Sequence, residues 1–206
     1  MNPQKLIFLP GARGHAEFWQ PMSEALQTDA PRRLFDWPGF GSIPPDPDVH
    51  GIDDLVRRVC DEIDRPCALL AQSMGGAIAL RAALARRDLV THLVLSVTSG
   101  GIDMSGCQAT DWRSAFFAAN PGLPRWFEDE PEDLSGEIAG LHIPTLLLWG
   151  DQDPISPVAV GERLAALLPN AHLHVVPGGD HDLAHAHAAQ LAPRIDRHLA
   201  QAGGRR

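Results

Sequence analysis

Short apolar runs alternate with longer amphipathic stretches along most of the chain. The runs Leu6–Leu9 and Leu146–Trp149 are apolar at every position, which is typical of strands buried on both faces of a parallel sheet. Runs of this kind predict strands near residues 5–9, 33–37, 67–72, 92–97, 145–150 and 172–176. The stretches between them predict helices near residues 16–27, 52–64, 74–86, 156–168 and 182–200. The pattern therefore predicts an α/β fold, with a doubly wound, mostly parallel sheet of about six strands and helices on both faces.

The composition fits one globular domain and narrows the range of partners. With 206 residues, of which 44% are hydrophobic and 21% charged, the chain can bury a sizeable core as a single domain over residues 1–206. Its formal net charge of −9 argues against nucleic acid and anionic membranes as partners, because both would repel the chain. No apolar run approaches the ~20 residues of a membrane helix, and the first residues lack the pattern of a signal peptide. We therefore expect a cytoplasmic protein.

The cysteines and histidines do not indicate a metal site. Cys60, Cys67 and Cys107 are an odd number and show no ligand spacing, so they predict neither a disulfide framework nor a metal centre. No cluster of His, Asp and Glu has ligand spacing on one predicted element. We expect no metal and no other cofactor.

A serine follows the third predicted strand, in the string Ala71-Gln72-Ser73-Met74-Gly75. An apolar strand leads into this string and an alanine-rich helix leaves it, which is the context in which a G-x-S-x-G serine becomes an exposed nucleophile. The backbone of such a serine is strained, so the residues two before and two after it must be small. Here alanine takes the place of the first glycine. The second interpretation is a buried serine that caps the following helix, since serine is a favoured N-cap residue.

Two later strands also end in residues suited to nucleophilic catalysis. The fifth predicted strand runs into a loop with Asp151 and Asp153, and the sixth runs into a Pro-Gly-Gly turn that is followed by His181. Together with Ser73, these residues stand in the chain order Ser…Asp…His. An isolated hydroxyl is a poor nucleophile at neutral pH, and an imidazole titrates in the right range to accept its proton.

These segments and two scaffold turns resemble the alpha/beta hydrolase fold superfamily over nearly the whole chain. Residues 5–14 are similar to the first strand and oxyanion loop of the family, with Pro10 where a histidine is usual. Residues 36–42 are similar to its D-x-P-G-x-G-x-S turn. The resemblance implies a fold in which the serine, the acid and the histidine meet at one edge of the sheet.

The resemblance also implies a role for each residue of the site. Ser73 would be the nucleophile, His181 the general base and later the acid, and Asp153 the carboxylate that orients the imidazole. The backbone N–H groups of Ala12 and Met74 would form the oxyanion hole.

Neighbouring residues compete for two of these roles. Asp153 is preferred to Asp151 because the family acid usually lies three residues beyond the glycine that ends the strand. His181 is preferred to His185 and His187 because it alone follows the glycine turn, whereas the other two lie in a helical pattern.

The segment 99–142 interrupts the alternation of strands and helices. Long irregular stretches inside compact domains are more often functional than accidental, and in the resemblance this segment is a short lid over the active site. Its aromatic residues would form a small core of the lid or a wall of an acyl pocket. Phe116 and Trp126 in the lid, and Arg13 and Trp19 near the oxyanion loop, are therefore candidate substrate contacts.

Three functions remain open at this point. The first is a serine hydrolase (carboxylesterase-like) that cleaves a small carboxylic ester or thioester through an acyl-enzyme. The second is a carbon–carbon lyase or hydrolase on the same fold, resembling the menaquinone-pathway synthase, with Arg13, Arg81 and Arg113 as possible anion partners. The third is a binding protein without catalytic activity, although such a protein has no need of all three residues of a catalytic triad.

Overall fold

The computed structural model describes residues 2–128 and 133–201 and contains one parallel sheet in that part of the chain. Its strands are β1 (Lys5–Leu9), β2 (Arg32–Leu34), β3 (Cys67–Gln72), β4 (Val90–Ser96), β5 (Thr145–Gly150) and β6 (Ala171–Val176). They lie in the order β2-β1-β3-β4-β5-β6, and every neighbouring pair is parallel. Residues 129–132 of the predicted lid, and residues 1 and 202–206 of the predicted domain, lie outside the described residues.

Helices flank this sheet and confirm the predicted fold class. They are α1 (Gln20–Ala25), α2 (Ile52–Glu62), α3 (Met74–Ala85), α4 (Arg113–Ala119), α5 (Ser135–Ile138), α6 (Val158–Leu167), α7 (Leu183–Ala186) and α8 (Ala188–Leu199). Two short 3-10 helices span Ala16–Trp19 and Arg125–Glu128. α2 and α5 pack against α3, whereas α1 packs against α7 and α8. Because all strands run in the same direction, their carboxyl ends share one edge, where ligands bind in open α/β sheets.

The central strands carry the core, as the apolar runs predicted. Every residue of β3 and of β5 is buried, which is what a parallel sheet covered on both faces requires. The tip of β1 is fixed from the side by Trp37, whose Nε1 donates a hydrogen bond of 2.8 Å to the carbonyl oxygen of Pro10. The backbone N–H of Trp37 also donates to the carbonyl of Gly14, at 2.8 Å. β2 therefore ends at Leu34 instead of continuing to residue 37.

Two predicted helices are divided in the structure. The helix predicted over residues 16–27 begins as a 3-10 helix and becomes α1 at Gln20, with Pro21 in its first turn. A proline is tolerated there because the first N–H groups of a helix have no intrahelical partner. The helix predicted over residues 182–200 is broken at His187, whose φ of −109° and ψ of 24° separate α7 from α8.

The segment predicted as a lid has two parts with different packing. In its second part, Leu134, Ile138 and Leu141 are buried in the main core, and α5 packs on α3. In its first part, aromatic rings pack on Phe40, which lies outside this segment, in the loop between β2 and α2. The ring centroid of Phe40 lies 5.7 Å from that of Trp126 and 5.1 Å from that of Phe127. This aromatic cluster anchors the first part above the carboxyl edge of the sheet.

Two buried histidines, one in β4 and one in α8, form a pair away from the carboxyl edge of the sheet. His198 of α8 is only 5% exposed, and its Nε2 is 3.0 Å from the carbonyl oxygen of Leu93. Its ring centroid is 5.2 Å from that of His92. Burial, together with the neighbouring rings of His92 and His172, lowers the pKa of His198 from 6.5 to about 4. Burial also lowers the pKa of His92.

We expect this pair to make the folded state less stable in acid. Between pH 6.5 and about 4 the unfolded chain binds a proton at residue 198 that the folded chain does not bind. The free energy of unfolding therefore falls as the pH is lowered through this window, by about 3 kcal/mol for this one residue. Chemical denaturation at pH 7, 6, 5 and 4 measures the effect. The variant His198→Gln removes the titration, so its unfolding free energy should depend less steeply on pH than that of the wild type. An equal slope in the two proteins would contradict the assignment.

Candidate active site

Ser73 sits on a strained turn between β3 and α3. Its φ of +52° and ψ of −123° lie in a region that non-glycine residues seldom occupy. Gly75 makes this turn possible, because a Cβ at that position would lie 2.5 Å from the carbonyl oxygen of Pro10 and 2.6 Å from that of Leu9. The side chain of Ser73 makes no capping hydrogen bond to α3, so the interpretation as a helix-capping serine is wrong. The turn holds the hydroxyl outward at the edge of the sheet.

The loops after β5 and β6 are fastened to each other through their backbones. A Cβ on Gly150 would collide with the backbone of Gly179, so a side chain at the end of β5 would push the two loops apart. The N–H of Gln152 donates to the carbonyl oxygen of Gly179 at 2.9 Å. Asp151 accepts a hydrogen bond of 2.7 Å from the N–H of Gly178. Asp151 is thus a turn residue that holds the histidine loop beside the acidic loop.

Three side chains from these segments form a continuous hydrogen-bonded chain. His181 Nε2 is 3.0 Å from Ser73 Oγ, and His181 Nδ1 is 2.8 Å from Asp153 Oδ2. The side chain of Asp153 is fully buried. Its other oxygen, Oδ1, accepts hydrogen bonds from the N–H groups of Ile155 at 2.8 Å and Ser156 at 3.2 Å. The carboxylate is therefore held in one orientation, with one oxygen left for the imidazole.

The competing histidines point elsewhere. His185 Nδ1 lies 2.9 Å from the carbonyl oxygen of Phe18, and His187 Nδ1 lies 3.2 Å from Gln190 Oε1.

A further residue supports His181 in a way that no sequence motif indicated. Gln72 is buried, and its Nε2 donates a hydrogen bond of 3.0 Å to the carbonyl oxygen of His181.

Ala12 and Met74, whose backbone N–H groups were predicted to form the oxyanion hole, each line a cavity that also contains Ser73. Met74 is the first residue of α3, and Ala12 lies in the loop after β1. Within residues 2–128 and 133–201, neither N–H donates a hydrogen bond to the protein. Two free amide donors beside a serine are suited to stabilising a negatively charged oxygen.

Two cavities meet at Ser73 and His181. The larger has a volume of about 400 Å³ and extends toward Met74, Arg81 and Arg113. The smaller has a volume of about 110 Å³ and lies beside the loop after β1. Trp112 and Ile155 line both cavities. Trp112 therefore stands at the partition between them, a position that depends on how the segment 99–142 packs and that its sequence context did not indicate.

The four candidate substrate contacts have different surroundings. Phe116 lines the smaller cavity and Trp126 the larger one. Arg13 also lines the smaller cavity, but its guanidinium is paired with the Asp182 carboxylate at 2.9 Å and its side chain is 71% exposed.

The position of Trp19 corrects the sequence-based expectation for that residue. Its side chain has no exposed surface, and its Nε1 donates a hydrogen bond of 2.9 Å to the carbonyl oxygen of Leu9. Its ring packs against Phe8 and Phe18, with centroids 5.7 and 5.4 Å away. Trp19 is a core residue that supports the end of β1 and does not contact either cavity.

The described residues also bear on metals and membranes. Among residues 2–128 and 133–201, no three His, Cys, Asp or Glu side chains are grouped as ligands of a metal ion. In the same part of the chain, no helix has the length and apolar character needed to cross a bilayer.

Comparisons with known proteins bear on the family and the fold of this chain. The profile of the alpha/beta hydrolase family matches residues 6–139, and a profile described as alpha/beta hydrolase fold matches residues 116–188. A poly(3-hydroxyalkanoate) depolymerase from Ectopseudomonas oleovorans is 28% identical in an alignment of 240 positions that spans 95% of this chain and 84% of the depolymerase. A Synechocystis sp. protein that carries the name of a non-heme chloroperoxidase is 33% identical over 89 residues, which cover 41% of this chain and 31% of that protein.

A similar fold is found in solved structures. A thermophilic esterase from Thermogutta terrifontis aligns with a TM-score of 0.79 at 20% identity, covering 98% of this chain and 92% of the esterase. At this level of identity, the similarity shows a shared fold.

Proposed function

The chain belongs to the alpha/beta hydrolase family, and from that premise we propose that it is a serine hydrolase that cleaves a small carboxylic ester or thioester through an acyl-enzyme. The observation that carries the proposal is the continuous hydrogen-bonded chain from Ser73 through His181 to Asp153. The hydrolytic name of a relative, the poly(3-hydroxyalkanoate) depolymerase, supports hydrolysis as the reaction class.

In the first half of the proposed reaction, Ser73 becomes acylated. Its Oγ attacks the carbonyl carbon of the substrate while His181 Nε2 takes the hydroxyl proton. The negative charge that develops on the carbonyl oxygen is stabilised by the N–H groups of Ala12 and Met74, each worth about 3 kcal/mol of barrier. As the tetrahedral intermediate collapses, the imidazolium gives its proton to the departing alkoxide or thiolate.

In the second half, water takes the place of the alcohol or thiol. His181 removes a proton from the water as it attacks the acyl carbonyl, and then returns the proton to Ser73 Oγ. Asp153 keeps the proton of the neutral imidazole on Nδ1, so that Nε2 can act as the base in both halves.

The two cavities fit a substrate with unequal parts on either side of the scissile bond. The larger, of about 400 Å³, is in the range of small-molecule pockets, whereas the smaller, of about 110 Å³, has room for a short group. Because Trp112 lines both, the proposal places it beside the reacting carbonyl, where it would separate the acyl part from the leaving group.

Active-site labelling and ester turnover test the proposed function together. We expect a fluorophosphonate probe to modify the wild type on Ser73, as located by peptide mass spectrometry, and we expect p-nitrophenyl acetate and butyrate to be hydrolysed. The exposed residue Ser42 offers a matched control, since Ser42→Ala should be labelled like the wild type. Labelling without ester turnover would reject the ester assignment while keeping Ser73 as a nucleophile. The absence of labelling would reject the nucleophile itself.

A further inference from the structure

We propose that the substrate carries an anionic group, such as a carboxylate, on the part that enters the larger cavity, and that Arg113 binds this group. The inference deepens the proposed function and rests on it, since it names the chemical class of the substrate. It starts from the charges that line the two cavities at Ser73.

Among the described residues that line the larger cavity, arginines outnumber carboxylates. The arginines that line it are Arg81 and Arg113, and its carboxylate is Asp53. That carboxylate is already engaged, because Asp53 Oδ1 lies 2.6 Å from Arg81 Nη1. Among the described residues, no hydrogen bond or ion pair joins Asp53 to Arg113.

The guanidinium of Arg113 lacks an ionic partner within the described part of the chain. Asp111 is nearby, but it accepts a hydrogen bond from the backbone N–H of Arg113 at 3.1 Å and not from the side chain. The guanidinium carbon instead lies over the ring of Trp112, 5.6 Å from its centroid. Stacking on an aromatic ring leaves the edge of a guanidinium, with its N–H donors, free for a planar anion.

The smaller cavity provides the contrast. Its arginine, Arg13, is paired with the Asp182 carboxylate at 2.9 Å, so the positive charge there is neutralised within the protein. The net charge of the chain, −9, does not decide the matter, since charges beyond about 8 Å are largely screened at physiological ionic strength. The charged side chains that line each cavity therefore determine where a charged part of the substrate binds. They favour an anion in the larger cavity.

The position of Arg113 in the lid places this charge close to the chemistry. Arg113 directly follows Trp112, which lines both cavities, and it shares the larger one with Ser73 and His181. An ester with a carboxylate a few bonds from its carbonyl could bind with the carbonyl at Ser73 and the carboxylate at Arg113. A bidentate pair of this kind adds orientation as well as affinity.

Matched ester pairs test the proposal. Monoethyl glutarate and ethyl pentanoate place a carboxylate or a methyl group on the acyl side, and 4-(propanoyloxy)butanoate and butyl propanoate do the same on the alcohol side. We expect Arg113→Gln to lower kcat/KM for the carboxylate ester of at least one pair by about ten- to hundredfold, while the neutral esters change by less than about threefold. The control is Arg57→Gln on α2, which lies outside both cavities and pairs with Asp54 at 2.7 Å. It should leave both pairs unchanged.

A binding measurement separates failure of this inference from failure of the proposed function. Glutarate should raise the melting temperature of the wild type and have a much smaller effect on Arg113→Gln, because a ligand stabilises only the fold that binds it. If the neutral esters are hydrolysed and both variants keep the wild-type ratio of carboxylate to neutral ester, the anion site is refuted and ester hydrolysis stands. If no ester is hydrolysed and Ser73 is not labelled, the proposed function fails. A glutarate shift that is equal in the wild type and in Arg113→Gln also refutes the anion site.

Discussion

Replacing Ser73 by alanine is expected to lower kcat for the best ester substrate by about 10⁴-fold or more. The hydroxyl that lies 3.0 Å from His181 Nε2 is the only group of the protein that forms a bond to the acyl carbon in the proposed mechanism. Without it, hydrolysis needs direct attack by water, aided by the oxyanion hole and by substrate binding. Steady-state kinetics with p-nitrophenyl butyrate, at enzyme concentrations high enough to detect the residual rate, measures the loss.

Two comparisons make the Ser73 result specific. Ser73→Ala should keep the circular dichroism spectrum and melting temperature of the wild type to within a few degrees, because the substitution removes one partly buried hydroxyl. The double variant Ser73→Ala/His181→Ala should be about as slow as either single variant, since residues that act as one unit are strongly non-additive. Retention of more than a tenth of wild-type turnover by Ser73→Ala would show that the reaction does not pass through this serine.

The order of strands and helices could be read from the sequence because burial on both faces leaves a simple signature. All positions of β3 and β5 are buried, and the predicted first and last residues of both strands agree with the structure. β2 was less well predicted, since its end depends on a hydrogen bond from Trp37 to the distant Gly14. The break at His187 inside the last predicted helix likewise has no local signal. Amphipathic periodicity identifies a helical stretch, but it does not show where tertiary packing interrupts that stretch.

The residues of the candidate site divide in a similar way. Ser73, Asp153 and His181 stand at strand ends with distinctive turns, so local sequence and family resemblance pointed to all three, and the structure brings them together. Gln72 supports the histidine loop through a contact between segments far apart in the chain, and no motif encodes such a contact.

Aromatic residues were harder to assign from the sequence. The sequence does not distinguish Trp19 from Trp112, since each is a tryptophan near a predicted functional segment. In the structure Trp19 is fully buried in the core, whereas Trp112 borders both cavities. Which tryptophan borders the cavities depends on how the segment 99–142 packs on the rest of the domain, and that packing is not a local property of either segment.

Replacing Asp153 by asparagine is expected to lower kcat by about 10⁴-fold, because it would fix the imidazole in the wrong tautomer. Asp153 Oδ1 accepts hydrogen bonds from the N–H groups of Ile155 and Ser156. An amide in its place would have to direct its oxygen to those two donors, which leaves its NH₂ group facing His181 Nδ1. The imidazole would then carry its proton on Nε2 and donate toward Ser73 Oγ, where the mechanism needs an acceptor.

The neighbouring aspartate supplies the matched control for this prediction. Asp151 accepts a hydrogen bond from the N–H of Gly178, and the amide oxygen of Asp151→Asn can accept the same bond, so its turnover should stay within about threefold of wild type. Both variants should bind glutarate and melt like the wild type, since each keeps the shape and the backbone hydrogen bonds of its loop. If Asp151→Asn lost activity and Asp153→Asn kept it, the acid of the triad would be the other aspartate. If both kept it, the imidazole would be oriented without a carboxylate, and the buried position of Asp153 would need a structural explanation instead.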